Sequence, residues 1–122
     1  MPNILFDPTM QGLADALTLH QRRHEVLSSN LANVETPGYR AKELEFATAL
    51  KDAFAGGEGT ETPLPDLKLV EDRDALPRAD GNTVDVDLQM AKLSANGERY
   101  VALAKILGSR IAQLREAIDG SR

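Results

Sequence analysis

Apolar residues recur along the first third of the chain at alternating steps of three and four. From Met10 they run through Leu13, Leu17, His20, His24, Leu27, Leu31 and Val34. That spacing is a heptad seam, with histidine at two of its positions. A thinner stripe carries Ala16, Leu19 and Val26, and a helix that is apolar on more than one face packs against more than one neighbour. Asp7-Pro8 opens a turn and Thr9 can serve as N-cap, which predicts a helix over about 9–33. The second seam is longer. Val86, Met90, Leu93, Gly97, Tyr100, Ala104, Leu107, Ile111, Leu114 and Ile118 alternate steps of four and three, and Leu103 and Ile106 widen the face. Asp85 or Asp87 can cap its start and Gly120 can stop it. The predicted helix covers about 85–119, roughly 50 Å at 1.5 Å per residue. Gly97 and Gly108 inside it each cost about 1 kcal/mol against alanine; they are either tolerated there or admit the close approach of a neighbouring helix.

The intervening stretch differs in character. Lys42 to Leu50 can resume as helix or strand. AGGEGTETPLP, residues 55–65, should be flexible, LKLVED (67–72) could be a short strand, and Asp80-Gly81 marks a tight turn. The pattern predicts a mainly α chain, one domain over 1–122. Its long terminal helices pair as an antiparallel coiled-coil-like hairpin, around a loop-rich middle (34–83) that can hold short β elements.

Composition narrows the function. Net charge is −5, so no broad basic face is available to displace phosphate counterions, and a nucleic-acid binder is disfavoured. Cysteine and tryptophan are absent and aromatics make up 4% of residues, which favours helices packed on each other or on other chains over a dense globule. No transmembrane run is present, and the N-terminal MPNILFDPTMQ lacks the basic and long apolar regions of a cleavable signal. His20 and His24 share one helix face, as metal ligands can, but there is no third histidine; burial or an interface is the plainer reading. No nucleophile with a base, phosphate loop or convergent acid pair supports an enzyme, and no cofactor is implied.

One stretch is built for direction. Asn33 can end the first helix by adopting the left-handed conformation. Thr36 is pushed extended by the following proline, and Pro37-Gly38 is the signature of a type II turn, which aims Tyr39. Asn30-Leu31-Ala32-Asn33 followed by Thr36-Pro37-Gly38-Tyr39-Arg40-Ala41 resembles the N-terminal signature of the bacterial flagellar axial proteins, which build rod, hook and hook–filament junction. The short chain lacks the large middle domains of distal rod and hook proteins. Asp80-Gly81-Asn82-Thr83-Val84-Asp85, with Asn96 and Arg99-Tyr100 in the last helix, resembles the B-type family of proximal rod proteins. The likeness spans the chain except 51–79. Gln89 departs from it, since glutamate is expected there, and the departure bears on a local charge contact.

The resemblance implies a structural subunit of the proximal rod of the flagellar basal body. It would polymerise helically to transmit torque and continue the export channel for motility. It implies partners in itself, other rod proteins, a membrane-ring adaptor and the flagellar type III export apparatus. It also implies a place in the periplasmic rod, reached without a cleaved signal, and no membrane insertion. The assembly corner would be Asn30, Asn33, Thr36, Pro37, Gly38 and Tyr39. The seam would be Leu13, Leu17, Leu27 and Leu31 against Met90, Leu93, Tyr100, Leu107, Ile111, Leu114 and Ile118, within and between subunits. The segment before the last helix, Asp80, Gly81, Asn82, Val84 and Asp85, would complete the set. The alternatives are the C-type proximal rod protein and a generic coiled-coil adaptor.

Overall fold

In the computed structural model, which describes residues 7–55 and 67–120, the order of elements is α1 (Pro8–Ala32), β1 (Lys42–Leu44), α2 (Phe46–Ala55), β2 (Leu69–Glu71) and α3 (Val86–Asp119). The flexible segment expected at 55–65 lies, apart from Ala55, outside the described residues. Asp7, not Thr9, caps α1: its Oδ1 accepts from the Met10 amide at 2.7 Å. Pro8 explains the shift, because proline suits the first helical position, where its missing N–H is no loss. At the other end Asn33 has φ −103°, so the left-handed cap expected there is not used. Its N–H is satisfied by the carbonyls of Ser29 and Asn30. Asp85 caps α3 by accepting from the Leu88 amide at 3.2 Å.

α1 and α3 run antiparallel. Their register is read from Asn30 beside Gln89, His20 beside Asn96, and Asp7 beside Arg110. The core is centred on α1. Leu13, Ala16, Leu19 and Leu27 are buried, joined by Ala41, Leu44, Ala49 and Val84. Both stripes of α1 are therefore used, one neighbour being α3 and the other α2 with β1. α2 approaches closely where α1 carries Gly12: a Cβ there would lie 2.5 Å from the Phe54 ring. β1 and β2 pair antiparallel, Lys42 with Glu71, Glu43 with Val70 and Leu44 with Leu69.

α3 is turned in an unexpected way. Its buried residues are the polar Gln89 and Asn96, while Leu93, Leu103, Leu107 and Leu114 are half-buried. Val86, Met90, Tyr100, Ile111 and Ile118 from the seam are exposed, with Val101 and Ile106. An added Cβ at Gly97 or Gly108 meets nothing within 4 Å, so no helix of this chain makes the close approach those glycines could admit.

Candidate assembly joint

The end of α1 is a helix terminus tied to a turn. The Tyr39 amide donates to the Thr36 carbonyl at 3.2 Å, and Gly38 has φ +74°; with Pro37 before it this is the type II turn. The backbone turn alone would leave carbonyls of residues 33–36 short of donors in a buried place, and such orphans are costly. Asn82 supplies them. Its Nδ2 lies 2.9 Å from the Asn33 carbonyl, 3.0 Å from that of Val34 and 2.7 Å from that of Thr36. Its Oδ1 accepts from the Val84 amide at 2.7 Å, and the side chain is fully buried.

The two motifs far apart in sequence are thus one object. Gly38 N–H donates to the Asp80 carbonyl at 3.0 Å, and Thr83 N–H to the Tyr39 carbonyl at 2.9 Å. The Ala41 amide donates to Thr83 Oγ1 at 2.7 Å. Gly81, at φ +80°, stands so close that a Cβ on it would lie 3.6 Å from the Gly38 Cα. Arg78 adds a brace, donating to the carbonyls of Val84 and Val34.

Asn30 does for the outgoing strand what Asn82 does for the turn. Its Nδ2 donates to the Lys42 carbonyl at 2.8 Å, and its Oδ1 accepts from the Lys42 amide at 3.0 Å. The same amide group donates to Gln89 Oε1 at 3.1 Å and accepts from the Tyr39 hydroxyl at 3.2 Å. Helix α1, turn, strand β1 and helix α3 therefore meet at one fully buried side chain. Of the residues expected in the corner and in the segment before α3, Asn30, Asn33, Thr36, Gly38, Tyr39, Asp80, Gly81, Asn82 and Val84 come together here. Asp85 serves as the cap of α3.

A charged clasp, which sequence reasoning missed, holds the strand pair against the helices. Arg23 binds Glu43 through Nε at 2.9 Å. Lys92 Nζ lies 3.5 Å from Glu43 Oε2 and 2.6 Å from Asp72 Oδ2. Partners separated by 20 to 49 positions leave no local signature. Burial pushes the Asp72 carboxyl upward, but hydrogen bonds from Lys92 and the Asp74 amide, the Lys92 charge and the Gln89 amide outweigh it, so the group is held below the usual aspartate value of 3.8. Gln89 Nε2 is buried without a hydrogen-bond partner among the described residues. A glutamate at that position would set a second carboxylate toward Asp72, which gives the departure from the family pattern a physical reason.

A folded-state value below the unfolded one means that the clasp stabilises fully above the unfolded value and loses this contribution as pH falls through the folded one. Asp72→Asn should therefore cost about 2 kcal/mol at neutral pH. In urea titrations the difference from the parent chain should shrink once pH drops below 3.8, the usual aspartate value. A difference that persists unchanged into strong acid would contradict the assignment.

Farther along the helix pair, Asn96 Nδ2 donates to the His20 carbonyl at 2.8 Å. Its Oδ1 is then an acceptor, so the His20 Nδ1 at 2.8 Å carries the proton. Phe46 packs on the His20 ring at 4.5 Å and lies under the Arg23 guanidinium. His24 is exposed. No cluster of three or more metal-ligating side chains occurs among the described residues.

The arrangement offers rigid geometry: a helix pair, a locked turn and an arm of fixed exit angle. Comparison with known proteins points the same way. The profile of a family described as flagella basal body rod protein matches residues 10–40, the helix α1 and the turn. The chain is 33% identical to the flagellar basal body rod protein FlgB of Yersinia enterocolitica, covering 93% of this chain and 95% of that one. It is 33% identical to the protein of the same name in Aeromonas hydrophila, over 98% of each. For that of Bacillus subtilis the identity is 28%, over 97% and 98%.

Proposed function

The chain belongs to the flagellar basal-body rod protein family, and from that premise we propose that it is a structural subunit of the proximal rod. The observation that carries the reading is the inverted α3. A helix that points Gln89 and Asn96 inward and Met90, Tyr100 and Ile111 outward is not completed by its own chain. Contiguous exposed apolar surface marks an interaction face. Subunits stacked side by side would cover it, so that Leu13, Leu17, Leu27 and Leu31 with Leu93, Leu107 and Leu114 serve the hairpin, and Met90, Tyr100 and Ile111 serve neighbours.

In this reading the paired helices form the wall of a tube that continues the export channel, and the joint sets the angle at which the β1–β2 arm leaves that wall. A lattice of this kind transmits torque because each subunit is held by many contacts at once. The finer expectations are export by the flagellar type III apparatus with the N-terminus uncleaved, periplasmic placement, and contact with a membrane-ring adaptor. An absence of cysteine suits a chain that must travel unfolded and unlinked. The B-type name carried by relatives in several species favours this member over the C-type protein, and the joint has no place in a generic coiled-coil adaptor.

Deleting the gene should abolish swimming, and a plasmid copy should restore it. A deletion strain that swims as its parent does would overturn the proposal.

A further inference from the structure

Leu76 is the most exposed large apolar residue described, at 82%, and it is not on a loose loop. The segment carrying it is tied down on both sides. Before it, the Ala75 amide donates to the Asp72 carbonyl at 3.3 Å and the Asp74 amide to Asp72 Oδ1 at 3.0 Å. After it come Pro77 and then Arg78, whose amide donates to the Asn82 carbonyl at 2.8 Å and whose guanidinium donates to Val84. A pre-organised apolar knob loses little freedom on binding.

A groove of about 370 Å³ opens between α1 and α3, with Gly97 and Asn96 at its base and His24, Tyr100 and Val101 among its walls. Gly97 makes it a notch, since a Cβ there would touch nothing within 4 Å. We infer that Leu76 of one copy seats in this groove of the next copy. The inference rests on the rod-subunit reading and names one contact within it.

The occupant is argued from three observations. The knob's loop is tied to α3 at Lys92, whereas the groove's wall at Tyr100 and Val101 lies roughly 12 to 14 Å farther along the helix, and Leu76 stands in solvent outside its own groove. Two complementary features on different surfaces make a heterologous contact, which propagates into a helical series instead of closing into a dimer. Tyr100 also belongs to the exposed stripe of α3, so the groove is continuous with the face proposed for lattice packing. One leucine buries far less than a stable pair of chains requires, so the contact acts only when repeated in the lattice.

The chain has no cysteine of its own, which gives a clean test. In cells whose only copy carries both Leu76→Cys and Val101→Cys, oxidation should yield a ladder of dimers, trimers and larger species, with each single variant remaining monomeric. A monomeric double variant in cells that still swim would overturn the contact while leaving the rod reading intact. Cells that swim without any copy of the gene would overturn both.

Gly97→Leu fills the notch and improves helix propensity. It should leave the purified chain as helical as the parent, by circular dichroism, yet reduce swimming at least tenfold. Parental swimming in that variant would contradict the inference.

Discussion

Asn82→Ala should lower the stability of the chain by about 3 kcal/mol, in the range expected when a buried hydrogen-bond network is broken. The change removes a donor group that serves the carbonyls of Asn33, Val34 and Thr36 and an acceptor for the Val84 amide. None of these groups gains water easily at a fully buried position, so the loss is larger than that of a surface hydrogen bond. Asn82→Asp separates the two halves of the effect. It keeps an acceptor for Val84 but sets a carboxylate against carbonyl oxygens, and should be at least as damaging as alanine. Urea midpoints of the three chains measure the difference. An alanine variant within about 0.5 kcal/mol of the parent, the range of an ordinary surface change, would show that the joint is not held by this side chain.

Gly38→Val should have the larger effect on assembly. A Cβ at Gly38 meets no atom within 4 Å, so the difficulty is not crowding but φ at +74°. The left-handed region costs an ordinary residue about 1–2 kcal/mol, and a β-branched one is a true outlier there. The chain can relieve the strain by letting the turn revert to negative φ. That would pull the Gly38 amide from the Asp80 carbonyl and redirect Tyr39, whose hydroxyl reaches Asn30. The protein should still be made in normal amounts, and the cells should not swim. Gly38→Asn, which tolerates the left-handed region better, should retain part of the motility. Normal swimming in the valine variant would remove the turn from the account of assembly.

The heptad spacing places both long helices to within one residue, because a 3.6-residue period is a local property of the sequence. The type II turn is equally local: Pro37 followed by Gly38 leaves few other conformations. What spacing does not reveal is which way a helix is rolled. Ten apolar positions of α3 read as the inward seam, yet Asn96 and Gln89 occupy the interior. Asn96 finds both its partners on His20, and Gln89 finds Asn30, and these matches lie on another helix. The exit of α1 shows the same limit. Asn33 can take the left-handed conformation, but Asn82 satisfies the nearby carbonyls from a distance, and a negative φ suffices. The corner and the segment before α3 are each visible as motifs. Their union through Asn82 is a tertiary fact, as is the clasp of Arg23, Glu43, Lys92 and Asp72.

The most direct measurement is electron cryotomography of basal bodies in cells lacking this gene. If the chain builds the proximal rod, membrane rings should be present with no rod rising from them, and a plasmid copy should restore the rod. Complete rods in the deletion strain would contradict the assignment.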